Sequence, residues 1–206
     1  MSGLFITFEG IDGVGKSTQV TLLQQHLEGL GHRVVRTLEP GGTELGVEIR
    51  GLLLHRKGEV APRAEALLFS ADRAHHVATK IRPALADGAV VISDRYFDSS
   101  VAYQGAGREL SMTDVRQINL WAVDGLLPNL TVLLDLDAKS ARARRDSTGA
   151  EPDRLEREKI EYFEATRNAF LELAEQEPDR FFVVSAAATP EAMHAQIRAR
   201  VNQLLG

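Results

Sequence analysis

The chain contains no cysteine, so disulfide bonds, thiolate metal sites and thiol catalysis are all excluded. Its 24 lysines and arginines are outnumbered by 29 acidic residues, and a net charge of −5 does not favour a general nucleic-acid-binding surface. No apolar run reaches the roughly 18 residues that a membrane span needs. A strand predicted almost at the N-terminus leaves no room for a cleavable signal. We therefore expect a cytoplasmic protein that binds neither nucleic acid nor a membrane.

Short apolar segments alternate with amphipathic helical patterns along the 206 residues. Most are rich in β-branched or aromatic residues, as buried parallel strands are. The alternation predicts an α/β fold, with a five-stranded parallel sheet and helices on both faces, in a single domain spanning 1–206. The predicted strands are Leu4–Phe8, Arg33–Thr37, Ala89–Ser93, Leu130–Leu136 and Phe181–Ser185.

A glycine-rich run, GIDGVGKS, follows the first predicted strand and precedes a helical pattern. This GxxxxGK[ST] spacing is typical of a P-loop, in which backbone N–H groups hold the phosphates of a nucleoside triphosphate. Lys16 is placed for the β- and γ-phosphates, and the Ser17 hydroxyl for Mg²⁺. The predicted ATP-binding residues are Gly10, Ile11, Asp12, Gly13, Val14, Gly15, Lys16, Ser17 and Thr18.

Two charged residues follow the third predicted strand. Asp94 lies where an acid binds Mg²⁺ directly or through water, so Ser17 and Asp94 are the predicted metal ligands. The Arg95 guanidinium next to it can donate two parallel hydrogen bonds to a phosphate. If the next turn is helical, the hydroxyl and amide groups of one face could contact a base and a sugar. That face carries Ser100, Tyr103 and Gln104. The alternative for Ser99 and Ser100 is capping of the helix.

A long helix predicted from Pro62 to Asp87 supplies the candidate site for the molecule that accepts a phosphoryl group from the nucleoside triphosphate. One stripe at helical spacing is expected to face the core. It consists of Leu67, Ala71, Ala74, Ala78, Ile81 and Leu85. Phe69, Arg73 and His76 lie on a different face, and a phenyl ring beside a guanidinium suits a flat ligand with polar edges, such as a nucleobase. The alternative is that Phe69 belongs to the core and Arg73 is a solvated charge.

Four arginines surround the polar segment Asp146–Asp153, which is predicted to form a lid over about 142–154. They are Arg142, Arg144, Arg145 and Arg154. Mobile arginines that close over the site would neutralise the charge that develops in phosphoryl transfer. The alternative is a solvated basic face paired with neighbouring acids. A carboxylate at Asp12 repels phosphates, and is tolerable only beside a sugar hydroxyl, a metal-bound water or an arginine.

These motifs together resemble the thymidylate kinases of the P-loop nucleoside monophosphate kinase group, from residue 3 to about residue 205. The segments that carry the resemblance are FEGIDGVGKST (8–18), EPGGT (39–43), LLFSADRAHH (67–76), DRYFDSSVAYQGAGR (94–108), LLPNLTVLLDL (126–136) and DRLE (153–156). The resemblance implies phosphorylation of dTMP to dTDP by ATP and Mg²⁺ in dTTP synthesis, and a homodimer. Family members either carry an arginine inside the P-loop or supply it from the lid, and Gly13 resembles the second, largely bacterial, type.

The resemblance also implies individual roles. Phe69 would stack on thymine, Arg73 would bind the edge of the ring, and Arg95 would hold the dTMP phosphate. The implied dTMP-binding residues are Glu39, Pro40, Leu52, Phe69, Arg73, Arg95, Ser99, Ser100, Tyr103 and Gln104. The implied catalytic residues are Asp12, Lys16, Arg95, Arg142, Arg144 and Arg145. Adenine would lie near the lid base and the loop 185–188.

Two other functions are weighed against this one. A GTP-binding regulatory switch would need an NKxD-type guanine reader, and the sequence has no such run. A kinase of another nucleoside or nucleotide would share the P-loop and the lid, so only a comparison of acceptors separates it from a dTMP kinase.

Overall fold

The structure is a computed structural model that describes residues 3–108 and 110–206. Its strands are β1 (Phe5–Glu9), β2 (Val34–Leu38), β3 (Val90–Asp94), β4 (Leu130–Asp135) and β5 (Phe181–Ser185). Its helices are α1 (Lys16–Gly29), α2 (Glu44–Arg50), α3 (Pro62–His76), α4 (Arg82–Ala86), α5 (Phe97–Ser100), α6 (Met112–Ala122), α7 (Ala138–Asp146), α8 (Ile160–Gln176) and α9 (Pro190–Leu205). Wider π-helical segments, Gly51–His55, Val77–Ile81 and Val101–Gly107, continue α2, α3 and α5. None of the helices described is long and apolar enough to span a bilayer.

All five strands are parallel, in the order β2-β3-β1-β4-β5. Every residue of the central strand β1 is buried, which requires helices on both faces of the sheet. The predicted fold class is therefore confirmed. Four strands differ by one residue from the prediction: β1, β2 and β3 begin and end one residue later, and β4 ends one residue earlier. In β1 and β3 the hydrogen-bonded ladder continues into Glu9 and Asp94, polar residues that an apolar pattern omits.

The register of the sheet aligns the ends of three strands at one edge. Asp94 pairs with Phe8 of β1 and with Leu38 of β2, so the loops after these strands leave the sheet side by side. Ligands of open parallel sheets bind beyond the carboxyl ends of the strands. The P-loop, the segment after β2 and the segment that begins with Arg95 therefore meet at one place.

The predicted core stripe of the long helix is wrong over its first half. Leu67 is 55% exposed, and Ala71 and Ala78 are exposed too, whereas Ile81 is buried. The buried face of α3 instead carries the charged and aromatic residues. They are Glu65, Phe69, Asp72, Arg73 and His76. These polar groups are tolerated inside because they bond to one another and to neighbouring loops, so hydrophobicity alone assigned the wrong face to the core.

Candidate active site

The loop between β1 and α1 has the geometry of a phosphate cradle. Gly10, Gly13 and Gly15 have φ values of 131°, 88° and 94°, which side chains disfavour. Ile11 and Val14 are buried in the core, so they can contact a ligand only through backbone. The Lys16 ammonium donates to the carbonyls of Gly10 (3.0 Å) and Ile11 (2.9 Å), and burial lowers its pKa. Ser17 and Thr18 are exposed.

A hydroxyl and a carboxylate meet beside this loop. The Ser17 hydroxyl donates to Asp94 Oδ2 at 3.0 Å. In the part of the chain that the structure describes, no three His, Cys, Asp or Glu side chains cluster as a metal cage. Mg²⁺ does not need such a cage, because it takes one or two protein oxygens together with substrate phosphates and water. The residues present therefore fit Mg²⁺.

Arg95 joins the P-loop to the segment that follows β3. Its Nη2 donates to Asp12 Oδ1 (2.6 Å) and to the Tyr103 hydroxyl (3.0 Å). Its Nη1 donates to the Gly10 carbonyl and to Ser99 Oγ, both at 3.0 Å. Burial alone would raise the pKa of Asp12, but Arg95 and Lys16 outweigh it and lower that pKa to about 2. Asp12 is therefore ionised at neutral pH, and its charge is compensated by an arginine, one of the three environments expected from the sequence.

One cavity of about 150 Å³ lies between the P-loop, α3, the segment after β3 and the lid. Its lining residues are Asp12, Glu39, Pro40, Arg50, Leu54, Phe69, Arg73, Arg95, Ser99, Ser100, Tyr103, Gln104, Asp153, Leu155 and Glu156. Nine of the ten residues predicted to bind the acceptor are in this set; the exception is Leu52. Residues far apart in sequence are thus brought to one cavity that opens onto the P-loop.

Leu52 does not belong to the cavity and is 50% exposed. Its neighbours Leu53 and Leu54 are buried, and Leu54 packs in a small apolar cluster with Phe69 and Leu155. Burial of these two leucines turns the preceding side chain of the π-helical segment towards solvent. Leu54 is therefore the residue of this segment that lines the cavity.

Arg73 is a buried and almost fully engaged guanidinium, 1% exposed. Its Nε donates to Glu39 Oε2 at 2.6 Å, its Nη1 to Ser100 Oγ at 3.0 Å and to Asn119 Oδ1, and its Nη2 to the Tyr96 carbonyl at 3.1 Å. Four of the five N–H groups of the guanidinium are used in this way. The solvated-charge alternative for Arg73 is excluded by this burial.

Glu39 connects Arg73 to a second buried layer. Its Oε1 lies 2.9 Å from His76 Nδ1, and His76 Nε2 lies 2.6 Å from Thr37 Oγ1. Burial would raise the pKa of Glu39, but the attraction of Arg73 prevails and lowers it. The Glu39 carboxylate therefore holds the Arg73 guanidinium in place at the wall of the cavity.

Three of the four predicted lid arginines, Arg142, Arg144 and Arg145, lie on α7 and contact different partners. Arg142 donates to the Glu158 carbonyl, and Arg144 donates to the Ala186 carbonyl at 2.7 Å. Arg145 donates to Glu156 Oε2 at 2.7 Å, and Glu156 lines the cavity. Arg145 is thus held near the cavity, whereas Arg144 is held near the loop that follows β5.

Arg154 has a different position from the other lid arginines. It donates to the Leu53 carbonyl at 2.8 Å and to the buried carboxylate of Glu65. Glu65 also accepts from Gln104 (3.1 Å) and Arg108 (3.2 Å). This single carboxylate therefore joins the lid to the wall of the cavity.

Several cavity or supporting residues were not predicted from the sequence. Asp153, Leu155 and Glu156 lie in the DRLE motif, which was identified without a role for each residue. Glu65 could have been found, because it lies four residues before Phe69 on the same face of α3. Nothing in the sequence around Asn119 indicates its contact with Arg73.

A second cavity lies on the other side of the P-loop. Its lining residues are Gly13, Val14, Gly15, Thr18, Gln19, Arg144, Ala187, Ala188, Thr189, Pro190 and Met193. Ala187 and Ala188 belong to the loop where adenine was expected. The Gln19 amide donates to the Pro190 carbonyl at 2.9 Å and fixes this loop to α1.

Comparison with known proteins identifies relatives over the whole length. The family model described as thymidylate kinase matches residues 8–197. A thymidylate kinase of Clavibacter michiganensis subsp. michiganensis is 60% identical over 205 residues, covering 100% of this chain and 97% of the relative. That of Bifidobacterium longum (strain DJO10A) is 51% identical over 208 residues, covering 99% and 100%. The crystal structure of thymidylate kinase from Ehrlichia chaffeensis superposes with a TM-score of 0.81 at 30% identity, covering 98% and 100% of the two chains.

Gly13 is predicted to be required for the docking of α7 on the P-loop. A Cβ there would lie 2.1 Å from the Ala141 carbonyl oxygen, a backbone atom that cannot rotate away. We expect Gly13→Ala to displace α7 and to accelerate tryptic cleavage between residues 147 and 159 by about tenfold, which corresponds to about 1.4 kcal/mol of lost docking.

The matched control is Gly31→Ala. Gly31 has nearly the same φ, 86° against 88°, but an added Cβ meets nothing within 4 Å. Both variants therefore carry backbone strain and only the first carries the collision. Equal cleavage rates in the two variants would contradict the prediction.

Proposed function

Since the chain belongs to the thymidylate kinase family, we propose how its residues transfer a phosphoryl group from ATP to dTMP, giving ADP and dTDP. The observation that carries the proposal is the shared wall of the two cavities. The P-loop borders both, with Asp12 on the acceptor side and Gly13 and Gly15 on the donor side. Two nucleotides bound in these cavities meet with their phosphates at the P-loop, as an in-line transfer requires.

The acceptor cavity holds dTMP through the Phe69 ring, the Arg73 guanidinium and Arg95, which binds the phosphate. Phe69 stacks on thymine, and Arg73 and Ser100 face its polar edge. Arg73 retains one N–H, on Nη2, without an acceptor in residues 3–108 and 110–206, and a thymine carbonyl is a suitable partner. Arg95 and the backbone of 39–41 bind the phosphate, and Ser99 supports Arg95 there. Tyr103 and Gln104 lie near the sugar.

The donor side uses backbone, Lys16 and a cation. The P-loop amides and Thr18 hold the phosphates of ATP, and Lys16 exchanges its carbonyl partners for the β- and γ-phosphate oxygens. Ser17 and Asp94 hold Mg²⁺, which when bound neutralises phosphate charge. Adenine lies against Ala187 and Ala188, where weak selectivity for the donor base is expected.

Catalysis follows from positioning and charge neutralisation. The acceptor phosphate is already an anionic nucleophile, so no strong base is required. Arg142, Arg144 and Arg145 of α7 act on the charge that spreads over the transferred group. Arg145 bonds Glu156, and this pair must open for the guanidinium to reach a phosphate. Asp12 keeps Arg95 oriented.

A coupled ADP-release assay across dTMP, dUMP, dGMP, dCMP and thymidine tests the function. We expect dTMP to give the highest kcat/KM, because the chain belongs to the thymidylate kinase family. The acceptor carbonyls of the base and the phosphate held by Arg95 are common to dTMP and dUMP, so the comparison of these two tests recognition of the C5 methyl group. Thymidine is the control for the phosphate site and should give little turnover. If dTMP gave no more turnover than the others, the proposed substrate would be wrong.

Phe69→Ala is expected to raise the KM for dTMP about tenfold or more and to leave the KM for ATP nearly unchanged. Stacking of a base on an aromatic ring contributes about 1–3 kcal/mol in other proteins. Phe170→Ala is the control, because Phe170 is buried in the main core and does not line the cavity. An unchanged KM for dTMP in Phe69→Ala would return Phe69 to a purely structural role.

The homodimer expected from the resemblance would use the outer faces of α3 and α6. Leu67 is 55% exposed, and it lines a groove with Ile118. Trp121 follows Ile118 by one helical turn and is 84% exposed, a large apolar surface that a partner copy would cover. This patch, Leu67, Ile118 and Trp121, is the proposed interface.

Light scattering tests the interface. Wild-type protein is expected at twice the mass of the chain, and Leu67→Glu combined with Trp121→Glu at the mass of one chain, because carboxylates resist burial. Leu204→Glu, on the exposed side of α9, is the control and should remain dimeric. A monomeric wild type would refute the proposal.

The cytoplasm is the proposed location of the enzyme. Both substrates are multiply charged anions, which do not cross a bilayer unaided. Cell fractionation with detection of the native chain tests this proposal, and recovery in the membrane fraction would contradict it.

A further inference from the structure

Arg95 has a strained backbone. Its φ is 72°, and Asp124 is the other non-glycine residue with a positive φ in the part of the chain described. A side chain in this region persists only when the surrounding structure fixes it. The direction of the Arg95 guanidinium therefore depends on whatever holds the peptides around it.

Two backbone contacts hold Arg95 itself. Its N–H donates to the Phe8 carbonyl at 2.9 Å, and its carbonyl accepts from Ser93 Oγ at 2.7 Å. The Ser93 contact holds the carbonyl side of the Arg95–Tyr96 peptide. The N–H on the other side of that peptide, which belongs to Tyr96, is held by a different group.

The group is the carboxylate of Glu9. Its Oε1 accepts the Tyr96 N–H at 2.8 Å, and its Oε2 accepts the Ser99 hydroxyl at 2.5 Å. The Ser99 oxygen in turn accepts from Arg95 Nη1 at 3.0 Å. Glu9 therefore acts on Arg95 through both the next peptide and the side chain that supports the guanidinium.

Glu9 is fully buried, so it cannot touch a nucleotide. It is the last residue of β1 and directly precedes Gly10 of the P-loop. Burial, together with the nearby charge of Asp98, raises its pKa to about 8. A buried acid of this kind is costly and is not needed to complete an apolar core.

We propose that Glu9 is a positioning residue, which sets Arg95 relative to the P-loop through the Tyr96 peptide and the Ser99 hydroxyl. Strand β1, which leads into the P-loop, thereby fixes the position of Arg95, the proposed ligand of the dTMP phosphate. This inference rests on the proposed role of Arg95 in binding that phosphate. Glu9 fulfils this role through its hydrogen bonds and not through its charge. An uncharged side chain of the same shape, as in Glu9→Gln, therefore fulfils it too.

Glu9→Met removes both acceptors and keeps the volume. We expect its KM for dTMP to rise, or its kcat to fall, by about tenfold to a hundredfold, as small misplacements of reacting groups do, while the KM for ATP stays within about twofold. Glu9→Gln retains an acceptor for Tyr96 N–H and a partner for Ser99, and should restore most of the loss. Thr7→Val is the control for a lost buried hydrogen bond on β1, away from Arg95.

Ser99→Ala breaks the same connection without a change in the buried strand. On its own it should raise the KM for dTMP, which tests the proposal if Glu9→Met does not fold. Where Glu9→Met folds, Ser99→Ala should add little in that background, because the connection is already broken. Three results would each overturn the proposal. The fold-changes of Ser99→Ala and Glu9→Met could multiply in the double variant, Glu9→Met could have wild-type kinetics, or Glu9→Gln could be as impaired as Glu9→Met.

Arg95→Ala separates this inference from the proposed function. If Arg95→Ala leaves the KM for dTMP unchanged, the role of Arg95 fails. If Arg95→Ala raises that KM and Glu9→Met does not, the role of Arg95 stands and the role of Glu9 fails.

Discussion

The ion pair between Asp12 and Arg95 is the contact on which the site depends. A carboxylate inside a phosphate-binding loop opposes the ligand, and the 2.6 Å contact with Arg95 compensates it while Lys16 lies close by. The same contact joins the P-loop to the cavity beside α3, so the two proposed phosphate sites keep a fixed separation. Asp12 therefore compensates part of the charge of Arg95 and fixes the orientation of its guanidinium, which remains able to attract a phosphate.

Buried charges are compensated in the same way at the wall of the cavity that Arg73 and Glu39 form. Arg73, Glu39 and His76 are all buried, and each is stable there because the next group satisfies it. Among the described residues, four of the five N–H groups of Arg73 have acceptors, so the guanidinium is held in one orientation and presents its remaining N–H at one place. Such a wall discriminates by geometry, because a ligand edge that does not accept that donor leaves a buried polar group unpaired.

The sequence predicted the fold and most of the residues that line the cavity beside α3, and the reasons are clear. These predictions rest on local patterns: the P-loop spacing, the apolar strands and the face with Phe69 and Arg73. Such patterns depend on residues that are close in sequence, so they can be read without knowledge of the tertiary contacts. The core stripe through Leu67 was wrong because a polar network took the inner face of α3, and a network depends on partners such as Glu39 and Asn119 that are distant in sequence. Leu52 was misplaced for a similar reason, since the burial of Leu54 against Leu155 is a tertiary contact.

The close approach of Gly13 to α7 has an evolutionary consequence. Position 13 borders the Ala141 carbonyl too tightly for any side chain, so an arginine in the loop and a docked α7 exclude one another. Replacement of Gly13 by arginine would therefore require a second change that moves α7 away from the P-loop. One substitution at this position does not convert one arrangement into the other.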